Sequence, residues 1–401
     1  AAAVFDFVAI QPTIDAGHAM LAVEGDQVLV GVGAGAVPAG LLAAPYDSTV
    51  RAPYWGSRAE LFEVFELARA GLGPVASVAH EHASPDGTTK LVVGLRDGAM
   101  IETVLIPMRP AQEADADAGA VDEEGEDDEE GEEEPEAAGT ERVTQCISTQ
   151  VGCAMKCAFC ASGVQGLRRQ MFPEEIEAQA QLGRARLTAG QRLRNVVFMG
   201  SGEPLHNYEN VLAAIRILRD RDGMAFPTTG ITISTIGIPK ALARLREEHL
   251  GINLTISLHA TTQDVRDRLI PGSRKHDLHD VVDRAISWAE RHNRIVTFVY
   301  LLLPGVNDGR GDAERLVRMV AGKPARVNLM RWNPVESVDL GRSADRQLHL
   351  FRQWLVRAGV PVVVRDTQGA DIDAACGQLW LRDLRGARAA QRMKTQVGPT
   401  A

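Results

Sequence analysis

Residues 195–204 read NVVFMGSGEP: an apolar β run that stops at a glycine-rich turn carrying a serine and a glutamate. The pattern recurs along the chain. QCISTQ (145–150), ITISTIG (231–237), INLTISLHA (252–260), IVTFVYLLL (295–303), RVNLMRW (326–332) and VPVVVRD (360–366) are further β runs. Between them lie amphipathic stretches such as 173–189, 207–221 and 276–292. Alternation of this kind predicts an α/β fold with a parallel sheet, and the short links favour a full or partial TIM-type β/α barrel over an open sheet. Barrel chemistry sits at the C-terminal ends of strands. Polar residues stand there: GSGEP after NVVFMG, His259 at the end of INLTISLHA, and Asn333 after NLMRW.

The chain has 401 residues, of which 45% are hydrophobic, enough to bury a sizeable core. No apolar run approaches the roughly 18 to 20 residues of a membrane span, and the first residues lack the basic flank of a signal peptide. These features predict a cytoplasmic protein with no membrane association. The net charge of -10 comes from one segment: residues 113–136 hold fifteen Asp or Glu and no Lys or Arg, and the rest of the chain carries +5. A mildly basic body suits a polyanion such as RNA. Residues 113–141 have little to bury and repel one another, which predicts a disordered acidic insertion: either a solvated spacer or an acidic decoy for a basic surface.

Before the insertion, residues 90–107 read as two β runs around an Asp-Gly turn, so 90–112 is expected to form a β-hairpin that leads into the barrel. Residues 1–89 are expected to form a small α+β extension, with a β unit over 21–35 and a helix over 57–72. The barrel is expected over 142–385, followed by a C-terminal tail over 386–401.

Four of the five cysteines lie in CISTQVGCAMKCAFC (146–160), and the fifth is Cys376 in DIDAACGQL. An odd number at this spacing argues for metal or thiol chemistry rather than a disulfide framework. Cys153, Cys157 and Cys160 form C-x3-C-x2-C, which can ligate three irons of a [4Fe-4S] cluster and leave the fourth iron open. A structural zinc would want a fourth ligand, and none is offered at the usual spacing. Buried unliganded thiols are the remaining reading. With Phe159 before the last cysteine, the trio carries the signature of radical S-adenosylmethionine (SAM) enzymes. Gly202 and Glu203, Ser234, Ser257 to His259 through Leu258, and Asn333 are then candidate SAM contacts, since an ammonium, a ribose, a carboxylate and an adenine need donors and acceptors.

Several segments together resemble one family, the RlmN/Cfr radical SAM methyltransferases, which methylate an adenosine of large-subunit ribosomal RNA. They are DGTTKLVVGLRDGAMIETVLIP, QCISTQVGCAMKCAFCASGVQGLRR, VVFMGSGEPLHN, ITISTIG, SLHATTQDVRDRLIP, GVND, NLMRWNP and DIDAACGQL, spanning roughly 85 to 385. The resemblance implies that Cys376 takes a methyl group from one SAM. A second SAM, reduced by the cluster, yields a 5′-deoxyadenosyl radical that activates that methyl toward the adenine ring. It further implies that Cys146 is the resolving thiol, forming a transient disulfide with Cys376, and that Glu102 accepts the ring proton. Without the resemblance, Glu102 reads as an exposed strand carboxylate and Cys146 as a small buried residue.

The two branches methylate C2 (RlmN type) or C8 (Cfr type) of the base. The Pro of GEP leans to C2 in 23S ribosomal RNA, with transfer RNA as a second substrate, while ITISTIG with INLT leans to Cfr. The resemblance also brings an electron donor such as flavodoxin and a monomeric enzyme. Departures are Ser201 in place of the family's second Met in M-G-M-G-E-P, PGSRK at 271–275, and an N-terminal region with no recognisable helical accessory domain. The competing readings are a radical SAM paralogue with the same cysteine relay acting on another RNA or a small molecule, and a silent RNA-binding or iron-sulfur sensor protein.

Overall fold

The computed structural model describes residues 75–108, 140–164, 166–220, 223–335, 338, 340–364 and 367–379, together with three short strands nearer the N-terminus. Two compact units divide the chain, Ala1–Gly73 and Pro74–Ala401. In the first, β1 (Ala3–Asp6), β2 (Asp26–Leu29) and β3 (Thr49–Arg51) form a parallel sheet in that order. The helix expected over 57–72, the acidic run through 139 and the tail over 386–401 lie outside the described residues.

The second unit is built on a ten-stranded sheet. Seven strands run parallel: β7 (Glu141–Cys146), β10 (Gln191–Phe198), β11 (Ile231–Thr235), β12 (Asn253–Ser257), β13 (Val296–Leu302), β14 (Ala325–Arg331) and β15 (Val362–Val364). All but β7 coincide with the β runs of the sequence; β7 lies earlier than the expected run QCISTQ (145–150) and shares with it only Gln145 and Cys146. β4 (Ala76–Ala83), β5 (Thr89–Leu95) and β6 (Met100–Pro107) extend the sheet antiparallel beyond β7. The end strands β15 and β4 do not pair with each other, so the β/α barrel is partial. A separate two-stranded ribbon joins β8 (Gln150–Gly152) to β9 (Leu167–Gln170).

β4 pairs with β5 and so belongs to the large sheet, and the two units divide at Gly73, within the 1–89 span expected for the N-terminal extension. Glu141, counted with the acidic insertion, is the first residue of β7.

Parallel strands covered on both faces must be apolar along their length, and every residue of β13, VTFVYLL, is buried. The helices are α1 (Ala161–Val164), α2 (Pro173–Arg184), α3 (Tyr208–Arg219), α4 (Pro239–Leu245), α5 (Gln263–Leu269), α6 (Leu278–Arg291), α7 (Arg310–Val320) and α8 (Asp345–Arg357). In α6, Asp277 caps the N-terminus by accepting from the Asp280 N–H at 2.9 Å. Its buried positions Leu278, Val281, Val282, Ala285, Ile286, Trp288 and Ala289 follow helical spacing. Burying each of the larger side chains contributes about 1.5–3 kcal/mol. No described helix is long and apolar enough to cross a membrane.

Candidate active site

Three neighbouring strands set out the first part of the site. Residues directly opposite in a sheet share a face. Lys90 of β5 stands opposite Val104 of β6, Val104 opposite Cys146 of β7, and Cys146 beside Val197 of β10. Glu102 lies two residues along β6 from Val104 and therefore on the same face. The opposite face, with Leu91, Val93, Ile101 and Leu105, packs into the main core.

On the Cys146 face a small apolar cluster joins Val104, Cys146 and Val197 to Ala374 and Leu379, with Ile106, Met199 and Ile372 around it. Ala374 and Leu379 flank Cys376, so this face carries the loop that holds the fifth cysteine. Cys146 is buried and Cys376 exposed. Glu102 is not the exposed carboxylate that its strand position alone would suggest: it is 2% exposed, 3.1 Å from the equally buried Lys90 ammonium.

The backbone at the end of β7 is fixed by a buried polar network. Thr103 Oγ1 donates to the Cys146 carbonyl at 2.8 Å, and Gln145 Nε2 donates to Thr103 Oγ1 at 2.9 Å and to the Gln179 carbonyl at 2.6 Å. Ser148 Oγ donates to the Glu102 carbonyl at 2.7 Å and accepts from the Ser201 N–H at 2.9 Å. The strand of Cys146, the strand of Glu102 and the GSGEP turn are thereby tied together.

The cysteine trio sits in the loop that the β8–β9 ribbon closes. Gly152 has φ +78°, and a Cβ there would stand 2.0 Å from the Gly166 carbonyl oxygen, so only glycine fits. Across this close approach the Cys153 N–H donates to the Gly166 carbonyl at 3.2 Å. The rest of the loop is anchored by Ala158 N–H to the Leu269 carbonyl (2.9 Å), Gly272 N–H to the Met155 carbonyl (2.8 Å) and Trp332 Nε1 to the Phe159 carbonyl (3.1 Å). Ala161 N–H reaches the Gly377 carbonyl at 2.7 Å, which links the last cluster cysteine to the loop of Cys376.

Burial pushes the Cys153 thiol up to about 12, and the charges on Cys160 and Glu203 act in the same direction, against the N–H groups of Met155 and Gly202. Burial likewise raises Cys157, with Cys160, Cys153 and Glu203 adding to the rise. Cys160 is also raised, by burial first, while the N–H groups of Ser162 and Gly163 lower it. Three thiols that oppose one another's ionisation, each held against polar groups, suit a site where iron replaces the protons. The N–H groups then remain as hydrogen bonds to sulfur, a known lever on cluster potential. Among the described residues, no three His, Cys, Asp or Glu side chains converge closely enough to hold one metal ion. In a cubane each thiolate takes its own iron, and three buried or half-buried thiols on one glycine-closed loop suit that donor set.

The predicted SAM contacts gather at the strand ends next to this loop. Gly202 has φ +114°, and a Cβ there would meet Gln150 Cβ and Thr149 Oγ1 at 2.7 Å. Glu203 is buried, and its carboxylate is already engaged by Thr235 Oγ1, by the Ile236 N–H at 2.9 Å and by the Leu205 N–H at 3.0 Å. Burial raises it to about 7 against those three donors. Ser234 in β11 and Ser257 at the end of β12 are half-buried, while the Leu258 side chain is in the main core.

His259 follows with φ +55° and accepts the Leu301 N–H on Nδ1 at 3.1 Å, which leaves its proton on Nε2. Its ring meets the Phe159 ring edge-on at 4.8 Å between centroids. Asn333, a predicted SAM contact, has both ends of its amide bonded near Cys376. Nδ2 donates to the Cys376 carbonyl at 3.2 Å, and Oδ1 accepts from Thr367 Oγ1 at 2.9 Å.

Two charged residues escaped the sequence reading. Arg266 of α5 is fully buried and donates from Nη1 to the Leu258 carbonyl at 2.6 Å and from Nη2 to the Ile236 carbonyl. Burial lowers it to about 10, while the charges on Cys157, Asp267 and Glu203 act to raise it. Lys90 is the other. A lysine heading the apolar run KLVVGL was the available signal for it, and nothing in DVRDRL tells which arginine turns inward.

A family profile described as the radical SAM superfamily matches residues 147–318. The chain is 66% identical over 243 residues to a probable RNA methyltransferase of Rhodopseudomonas palustris, covering 61% of this chain and 66% of that one. It is 46% identical to the dual-specificity RNA methyltransferase RlmN of Sorangium cellulosum, covering 79% of this chain and 82% of the relative. A crystal structure of a radical SAM methyltransferase from Sphaerobacter thermophilus superposes with a TM-score of 0.68 at 34% identity, covering 80% and 85% of the two chains. The radical SAM family uses a [4Fe-4S] cluster and SAM, and the cysteine trio described above fits the cluster. With the partial barrel, the trio and these relatives together, the chain belongs to the RlmN family of radical SAM RNA methyltransferases.

Proposed function

We propose that this enzyme methylates C2 of an adenine in 23S ribosomal RNA, with transfer RNA as a second substrate, through Cys376, Cys146 and Glu102. The observation that carries the reading is the shared sheet face: Cys146 and Glu102 lie on it, and the loop of Cys376 packs against it. Held by Cys153, Cys157 and Cys160, the cluster with SAM would supply the one-electron chemistry that activates an inert carbon–hydrogen bond.

The residues of the chain do the rest. Cys376 is exposed, so its thiolate can reach a SAM methyl carbon and accept the group by displacement. Once that carbon is joined to the base, the radical adduct must give up one electron, for which the cluster would be the acceptor, and Glu102 takes the ring proton. Cys146 then attacks Cys376 Sγ: a sulfur–sulfur bond forms as the carbon–sulfur bond breaks, and the released carbon takes up a proton. The GEP turn supports C2 over C8. The family resemblance brings with it an electron donor such as flavodoxin and a monomeric enzyme.

The test is a Cys146→Ala variant. RNA covalently attached at Cys376, seen by mass spectrometry, is the expected result, and mapping the attached nucleotide names the substrate. Absence of both an adduct and an S-methyl group on Cys376 would sink the relay.

A further inference from the structure

We infer that Lys90 is a positioning residue for the proton transfer: its ammonium keeps Glu102 ionised inside the sheet, so that a carboxylate meets the reacting base. This rests on the reading of Glu102 as the proton acceptor, and it assigns a role to a residue outside the relay.

The argument starts from burial. A carboxyl group 2% exposed has lost its water, and an isolated one in that position takes up a proton and ceases to be a base. Lys90 Nζ stands 3.1 Å from Glu102 Oε1, itself 3% exposed. An opposite charge at that distance favours the ionised form. Buried pairs are seldom kept for stability, because desolvating both ions offsets their attraction. This one lies on the face of the sheet that carries Cys146 and the Cys376 loop, and the core face is the other one.

The register fixes the geometry. Lys90 is opposite Val104 and so reaches Glu102 along the diagonal, leaving the position beside Cys146 to an apolar side chain. Among the described residues, the other titratable or charged groups on this face are His80 and His82 of β4, Arg142 and Cys146 of β7 and Arg192 of β10, with Asp371, Asp373 and Cys376 on the loop packed against it. His82 pairs with Lys90 across β4 and β5, on the edge strand. When Glu102 takes the proton, Lys90 keeps its three, and no electron changes hands between them.

Infrared difference spectroscopy of the anaerobic holoenzyme tests the pairing directly. At neutral pH a protonated-carboxyl band should appear in Lys90→Met, be absent in the wild type and in Lys90→Arg, and vanish again when Glu102→Gln is added. Single-turnover release of methylated ribosomal RNA by Lys90→Met should fall about tenfold or more at neutral pH and recover toward alkaline pH. If Lys90→Met does not fold, Lys90→Gln answers the same question with a smaller change. A Lys90 variant with no such band and a wild-type pH profile overturns the inference. Undiminished turnover in Glu102→Gln overturns the base assignment itself, so the two failures are distinguishable.

Discussion

His259 combines a backbone constraint with a buried ring. Burial, and secondarily the Arg266 charge, lowers it from 6.5 to about 3, so the ring is neutral in the folded enzyme. The unfolded chain binds that proton below about 6.5, and the folded chain does not until about 3. Stability from this residue is therefore complete above 6.5 and falls with pH through that window, by on the order of a few kcal/mol. Asn tolerates φ > 0 and still offers an acceptor to Leu301. His259→Asn should flatten the slope of unfolding free energy between those pH values, as denaturant titrations at stepped pH will read. Arg266 makes a different case, because its planar fork serves carbonyls at the ends of two strands. Arg266→Met leaves those carbonyls without their charged donor, and a loss of about 3 kcal/mol or more is expected from urea unfolding. Lysine offers no such fork, so Arg266→Lys should recover only part of it.

Among the elements, the β4–β5 turn has a task beyond closing a hairpin. Ser84 Oγ donates to Asp371 at 2.7 Å, and the Gly369 N–H donates to Asp86 Oδ2 at 2.8 Å, so the turn clasps the loop that carries Cys376. Burial pushes Asp86 up, but hydrogen bonds from Gly369, Thr88 and Ser84 outweigh it and bring the carboxyl from 3.8 to about 2. The clasp should be complete above about 3.8 and fail as pH drops through about 2. Asp86→Asn should therefore speed hydrogen exchange over 367–379 at neutral pH, with the difference from wild type closing in acid. The sequence announced β5 and β6 through their Asp-Gly turn, but β4 was hidden. Its residues, ASVAHEHA, are mostly exposed, and the pairing register shifts between Val78 and His80, which breaks the alternation a strand would show. Edge strands need little apolar surface, so periodicity cannot find them.

For the whole molecule, the parallel strands were legible because burial on both faces leaves continuous apolar runs. The cysteine trio was legible because local spacing encodes it. The partners of Glu102, Asn333 and Arg266 were not, since each is set by strand register or by a helix facing inward rather than by neighbours in sequence. Charge is also a property at this scale: removing 113–136 changes the formal net charge from -10 to +5. The deleted enzyme should associate with RNA faster at low salt and match the parent at about 0.15 M, where screening acts within roughly 8 Å. Stopped-flow association at two ionic strengths will decide it.

The register of β6 against β5 and β7 has a further consequence for what insertions and deletions the gene can tolerate. Between Pro107 and Glu141, length can drift freely, because loop closure costs rise only with the logarithm of length and the ladder on either side is unaffected. Within Met100–Pro107 the tolerance is nil. One residue added or lost between Met100 and Glu102 would shift Glu102 to the position of Thr103 or of Ile101, turning the carboxylate toward the apolar core and away from the Cys146 face.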